Sequence, residues 1–427
     1  MNKITLKGFN EEIIHEVLNN GLEVFLLPNN KVLNYYATFC TKFGSSVEKY
    51  KLGNKTVTLP HGVAHFLEHL TFHMEDGSDA SLKFASYGVK SNAYTSYKVT
   101  CYEVFGFDHF NEALNDLLDM VQIPYYTEEL VENEKGIICE EVKMYEDSPG
   151  SILSRNINTS LFKNEPRIHL VTGECEDVNN TTLEDIMNAY NTFYNPANMF
   201  IIITGNFNPT EALAIIEKNQ SKKDFKSIDN VKVIEQKEPV TVVNKYKEVD
   251  ANIKIDKVAV SLKLDKKKFQ SLNISKVELN NYISIILNSL FGRTSIFKDI
   301  LVRGNIITDG PSYGKSNLKD VITITITAET PYKEEYLKLL NETLDNIDIS
   351  EEDFNRKRKC MISSAIQSFD DIEEVNYLIM LDILEFDHLI ADDYDIINNL
   401  KYETAKKIAK LLRTNNRSTV ILKTKEN

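Results

Sequence analysis

His65, Glu68 and His69 stand in one run, Pro60-His61-Gly62-Val63-Ala64-His65-Phe66-Leu67-Glu68-His69-Leu70-Thr71-Phe72. On a helix, positions i, i+3 and i+4 share a face. The spacing lets His65 and His69 close on one metal ion, with Glu68 held beside it. Two imidazoles and an adjacent carboxylate are the parts needed to activate water at a metal. The order H-x-x-E-H reverses the commoner H-E-x-x-H zinc pattern. Phe66, Leu67, Leu70 and Phe72 are left to pack the helix. Two ordinary histidines four residues apart are the competing explanation, and it weakens once a third ligand is found.

One helix face offers only two ligands to a tetrahedral ion, so the third must come from elsewhere. The run Glu132-Asn133-Glu134-Lys135-Gly136-Ile137-Ile138-Cys139-Glu140-Glu141-Val142-Lys143-Met144 supplies candidates. Glu134 and Glu141 are seven apart, two turns along one face. One could bind the metal and the other hydrogen-bond a histidine ligand. Taken alone, the segment also reads as a solvated acidic helix.

The elements that must position these groups follow in order. Residues 20–28 are expected to be a turn and a strand, and 34–43 a second strand, with a polar loop over 45–60. Residues 80–87 read as a helix, and 90–104 as a strand pair or one long edge strand. Helices are expected at 109–122, 128–144 and 183–193, followed by the apolar strand 199–204. Residues 217–249 look like a solvated connector with a strand at 240–243. Beyond it, strands are expected at 258–264, 321–327 and 419–422. Helices are expected at 277–291, 333–347, 351–368, 371–385 and 402–412, with a Gly-containing region over 292–314.

Each half opens on strand, loop and helix and closes on helix, Asn-bearing turn (Asn195 and Asn198; Asn415 and Asn416) and apolar strand. The expected fold is α+β: two similar lobes, each a mostly antiparallel sheet covered by helices, together enclosing a cavity. The division is 1–216 for the metal-bearing lobe, 217–249 for the connector and 250–427 for a second lobe lacking the metal site.

With 427 residues the chain exceeds one ordinary core, and 42% hydrophobic with 26% charged residues is the composition of a soluble globular protein. A formal charge of −14 argues against nucleic acid as a partner. Five scattered cysteines without a C-x-x-C pair indicate neither a disulfide framework nor a thiolate zinc site. No apolar run approaches a membrane span, and no signal-peptide pattern opens the chain. A cytoplasmic location is expected.

The chain resembles the inverted-zincin peptidases that include pitrilysin, insulysin and the mitochondrial processing peptidase. Within them it looks most like small bacterial zinc-bearing subunits associated with peptide maturation and elongation factor P modification. The matching residues are Gly62–His69, Ser91-Asn92-Ala93-Tyr94-Thr95, Glu134–Val142, Tyr194–Met199 and Thr204-Gly205-Asn206. The resemblance is strong to residue 206 and weak beyond. It implies a zinc endopeptidase for peptides or unfolded segments, with bacteriocin maturation as one setting. It also implies Zn2+ on His65, His69 and Glu141, Glu68 as general base, and Glu134 as partner to a ligand histidine. The strand bearing Asn92 and Ala93 is implied to pair with substrate backbone.

One departure stands out. Complete members present an Arg and, seven residues on, a Tyr from the second lobe, where this chain has Leu301 and Thr308. Arg303 and Tyr313 are near but ten apart. The expectation is a dimer with a paralogous subunit that supplies Arg and Tyr, a homodimer being open too. The rival reading is a non-catalytic peptide-binding or scaffold subunit, against which the retained His65, Glu68, His69 and Glu141 argue. His61 and His73 continue the four-residue spacing but are not expected to touch the metal; His15, His109 and His169 have no partner spacing.

Overall fold

The computed structural model describes residues 2–9, 11–225 and 231–425. In chain order, strands β1 (Asn2–Leu6), β2 (Glu11–Val17), β3 (Glu23–Pro28) and β4 (Tyr35–Thr41) precede a short hairpin, β5 (Lys49–Leu52) and β6 (Lys55–Thr58). Helices α1 (Val63–Thr71) and α2 (Ala80–Ser86) lead to strands β7 (Lys90–Thr95) and β8 (Thr100–Gly106). Helices α3 (Phe110–Gln122), α4 (Glu128–Asp147), α5 (Pro149–Leu161), α6 (Cys175–Asn180) and α7 (Leu183–Phe193) follow. Then come β9 (Met199–Gly205), α8 (Pro209–Gln220), β10 (Val231–Val233), β11 (Tyr246–Ala251) and β12 (Lys257–Asp265). The chain continues through α9 (Lys276–Phe291), α10 (Ile296–Arg303), β13 (Asp309–Asn317) and β14 (Val321–Glu329). It closes with α11 (Lys333–Asp345), α12 (Glu351–Gln367), α13 (Ile372–Phe386), α14 (Asp393–Asn399), α15 (Tyr402–Leu412) and β15 (Arg417–Thr424).

Two compact units result. The first is Met1–Met144, His169–Glu235 and Gln367–Ala391; the second is Tyr145–Ile168, Gln236–Ile366 and Asp392–Asn427. The chain therefore crosses between units more often than a single division near 217–249 would have it.

In the first unit, a seven-stranded sheet runs β1-β2-β3-β9-β4-β8-β7. Strand β9 is buried throughout, and apolar from Met199 to Ile203, because both of its faces are covered. Ile201 and Ile203 join the core under α1, α3 and α7, whereas Phe200 and Ile202 join Val375, Ile379 and Ile383 of α13. Helix α13 was expected among the elements of the second lobe. It is fixed to this sheet by Asn376, whose amide donates to Ile202 O at 3.2 Å and whose Oδ1 accepts from Thr38 Oγ1 at 2.8 Å.

The second unit holds the five-stranded sheet β11-β15-β12-β14-β13. Its pattern repeats that of β3-β9-β4-β8-β7. In each, the first pair is parallel and the next three are antiparallel. The duplication expected from a weak sequence echo is thus present as sheet topology. All eight histidines lie in the first unit, so the second has no imidazole to offer a metal.

Four local expectations need correction. The polar loop 45–60 contains the hairpin β5–β6, to which β10 adds a third strand. Gly53 at φ 58 makes its turn, and the lysine-rich strands concealed the alternation. Residues 240–243 are not a strand; the strand lies at β11. The Gly-containing region 292–314 holds α10 and the start of β13. Finally, Cys40 and Cys101 form a disulfide between directly opposed positions of β4 and β8, a pairing that only the strand register reveals.

The connector is also less solvated than expected. Residues 226–230 of it lie outside the described residues, but Glu238 is buried in the second unit. Its carboxylate accepts from the backbone N–H groups of Lys163, Asn164 and Glu165 and from Lys263 Nζ at 2.6 Å. Lys263 also donates to Leu161 O and Thr241 O, so the buried charge pair is fully bonded.

Candidate metal centre

Helix α1 is preceded by Gly62, whose φ of 83° is left-handed. A Cβ there would stand 2.1 Å from Thr172 O, so only glycine admits this close backbone approach. Val63, Ala64, Phe66, Leu67 and Leu70 are buried in the first unit's main core. That packing leaves His65, Glu68 and His69 along the remaining face. Helix α4 is anchored by Val131, Ile138 and Val142, which carries Glu134 and Glu141 with it.

The two helices bring three donors together. His65 Nε2 is 3.5 Å from Glu141 Oε1, and His69 Nε2 is 3.3 Å from Glu141 Oε2. Donor atoms of His65, His69 and Glu141 all lie within 4.8 Å of one another. Ligands about 2.0–2.1 Å from a tetrahedral zinc stand about 3.3–3.4 Å apart, and the two imidazoles approach Glu141, each at its own carboxylate oxygen, at about that distance. The far side of His69 is held too, Nδ1 lying 2.9 Å from Glu134 Oε1. That contact turns Nε2 toward Glu141, the role of a carboxylate behind a ligand histidine. A set of two imidazoles and one carboxylate fits zinc.

The charges follow from these contacts. The neighbouring His65 ring, and after it the His69 ring, hold the Glu141 carboxyl far below its ordinary range. For His69, burial opposes the charged ring, but the bonds to Glu134 and Glu141 outweigh it and push its pKa up to about 9. Glu134 is buried, which disfavours its charge, yet His69 keeps it below its ordinary value.

Glu68 is outside this triangle and accepts a 2.6 Å hydrogen bond from Thr95 Oγ1 on β7. Thr95 is a residue that sequence reasoning left without a role, although it lies in the matched run 91–95. Behind α1, Thr71 Oγ1 donates to Leu67 O and accepts from Tyr102 and Tyr126 at 3.0 Å each. Tyr194 in turn donates to Tyr102 at 2.8 Å. This buried chain of hydroxyls braces the C-terminal turn of the helix.

Asn92 and Ala93 are on β7, the terminal strand of the sheet. The Asn92 amide faces Glu103 Oε2 at 3.3 Å, and Ala93 packs on the core. Neither belongs to the donor group. His73 Nε2 is 3.6 Å from Glu134 Oε2, and His61 faces Glu48, so neither joins the triangle. In the second unit, Leu301 is fully buried, Thr308 bonds Glu329 O, and Arg303 pairs with Asp299 on its own helix. Tyr313 lies against Phe291.

A duplicated α+β chain with a His, His, Glu donor set on two helices is the architecture of an inverted zincin. The insulinase family, peptidase family M16, matches residues 58–172, and the peptidase M16 inactive domain matches 180–360. The chain belongs to peptidase family M16. It is 33% identical over 328 residues to the uncharacterized zinc protease YmfH of Bacillus subtilis, covering 76% of this chain and 73% of that one. An uncharacterized zinc protease of Rickettsia felis is 25% identical over 206 residues, 47% of this chain and 48% of the relative. The crystal structure of an M16-like peptidase from Alicyclobacillus acidocaldarius superposes with TM-score 0.89 at 26% identity, covering 98% of this chain and 99% of that one. No helix among the described residues is long and apolar enough to cross a membrane.

Proposed function

We propose that this chain is a zinc-dependent endopeptidase for peptides or unfolded segments, acting as the metal-bearing subunit of a dimer. The observation that carries the reading is the convergence of donor atoms of His65, His69 and Glu141 within 4.8 Å of one another. Zinc bound there would supply Lewis acidity, lowering the pKa of a bound water to roughly 7 and polarising a carbonyl. Glu68 takes the proton of the attacking water and delivers it to the leaving amine. Thr95 fixes which carboxylate oxygen of Glu68 is turned away from that task. Glu134 orients His69. Strand β7, through Asn92 and Ala93, pairs with the extended substrate, a mode that reads main chain more than sequence.

The buried Leu301 and the bonded Thr308 favour completion of the site by a paralogous subunit that offers Arg and Tyr to the developing oxyanion. The same residues, with the match to an inactive domain, speak for a second reading: a peptide-binding subunit without catalysis. Zinc content and peptide cleavage of wild type and Glu68→Gln, each with and without the paralogue, separate the two. The endopeptidase reading expects zinc retained and cleavage lost in Glu68→Gln. Equal cleavage by both proteins overturns the assignment of the base, and no cleavage by wild type in either state favours the binding subunit.

A further inference from the structure

A second group of metal-competent side chains shares no residue with the first. Glu48 Oε1 is 3.4 Å from His61 Nε2 and 3.8 Å from His169 Nε2, and donor atoms of the three lie within 4.8 Å of one another. On the opposite nitrogen of His61, Asp177 Oδ1 stands 3.4 Å from Nδ1. A carboxylate behind one ring nitrogen, with the other aimed at a shared ligand atom, is the arrangement that supports metal-binding histidines.

The backbone is built to make this meeting. Gly62 and Gly173 both have positive φ, at 83° and 73°, and each takes the other's neighbour at close range. A Cβ on Gly173 would be 2.5 Å from His61 O, as one on Gly62 would be 2.1 Å from Thr172 O. Two segments more than a hundred residues apart in sequence are thereby pressed together, and the His61 and His169 rings stack at 3.7 Å.

We propose that Glu48, His61 and His169 form a second site for a divalent transition metal, separate from the His65, His69 and Glu141 centre. Its N,N,O donor set suits Zn2+ or Co2+. The stacked rings are 16° from parallel, so one ion cannot lie in both ring planes as they stand. Binding turns one imidazole about χ2. Occupied, the site ties His61, two residues before α1, to the hairpin side of the unit through Glu48 and to the segment leading into α6 through His169. It is a clamp on the start of the metal helix.

The test is metal stoichiometry, which does not depend on peptidase activity. Metal-stripped full chain is titrated with ZnCl2 and bound zinc is measured after equilibrium dialysis, and Co2+ absorption is followed in parallel. Wild type is expected to hold two equivalents. His169→Gln and Glu48→Gln are each expected to hold one, retained at the first centre, with circular dichroism showing the fold intact. His65→Ala/His69→Ala is expected to hold one at the second site and to keep the Co2+ spectrum that His169→Gln loses. A single equivalent in wild type that folded His169→Gln keeps, or two equivalents in folded His169→Gln, overturns the proposal. If the first centre is misassigned, the His65→Ala/His69→Ala protein keeps the wild-type count, and the His169→Gln result still stands alone.

Discussion

Thr95 Oγ1 donates to Glu68 Oε2 at 2.6 Å, joining the terminal strand of the first sheet to the helix that bears both histidines. The strand proposed to hold a peptide and the carboxylate proposed to move its proton are therefore positioned by one bond. Thr95→Val should lower kcat for peptide cleavage roughly tenfold, the scale of losing one hydrogen bond to a charged group, while bound zinc stays at the wild-type level. Thr95→Ser should restore most of the rate. Cleavage assays with metal analysis check both, and loss of zinc in Thr95→Val would show that the bond supports the helix instead.

Glu134 gives a different signature. It contacts His69 Nδ1 but is not one of the three converging donors. Glu134→Gln keeps the shape and loses the charge, so zinc affinity should fall by about 10–100-fold, as for other carboxylates behind ligand histidines. Competition with a chelator of known affinity measures it.

The metal-free protein should carry a pH signature from the same residues. The pKa of His69 is raised from 6.5 to about 9, so the proton favours the folded state. That contribution is full below pH 6.5 and lost as pH rises through 9. The Glu141 carboxyl is depressed from 4.5, so its contribution is present above pH 4.5 and lost as pH falls. The thermal midpoint of stripped protein should thus be highest between pH 4.5 and 6.5 and decline toward 9. His69→Gln should flatten the alkaline decline, which a set of melts across that range reads directly.

Gly62→Ala tests the backbone junction. The new Cβ meets Thr172 O at 2.1 Å on a residue already at φ 83°, so stability should fall by about 1–3 kcal/mol or more. Gly136→Ala, on α4 with open space around it, should be neutral or slightly stabilising. Denaturant unfolding of the two variants makes the comparison.

Much of the first centre was legible because the motif is local. His65, Glu68 and His69 share a face by helical spacing; two turns of a second helix pair Glu134 with Glu141, and only the family resemblance singled out Glu141 as the ligand. What could not be read is what depends on register between distant strands and loops. Thr95 reaches Glu68 only once β7 is laid against α1. Cys40 meets Cys101 only because β4 and β8 pair at those positions. His61 and His169 lie far apart in sequence and meet through two left-handed glycines, a contact with no periodic signal. Helix α13 shows the same limit at larger scale. Its apolar pattern predicts a buried helix, but nothing in that pattern says which sheet it covers. The hairpin β5–β6 was hidden for another reason: alternation is hard to see when most outward positions, and several others, are lysine or threonine.

The repeated sheet order pairs β7 with β13 as corresponding terminal strands, and the two differ in how they face the outside. A terminal strand exposes a row of unsatisfied N–H and C=O groups that invites another chain, so proteins commonly interrupt it with proline or an irregularity. Strand β13 has both, Pro311 and a break in register between Asp309 and Ser312. Strand β7 has neither and pairs with β8 without interruption from Lys90 to Thr95. Of two edges made from one plan, one is blunted against unwanted association. The other, beside Glu68, carries no such interruption.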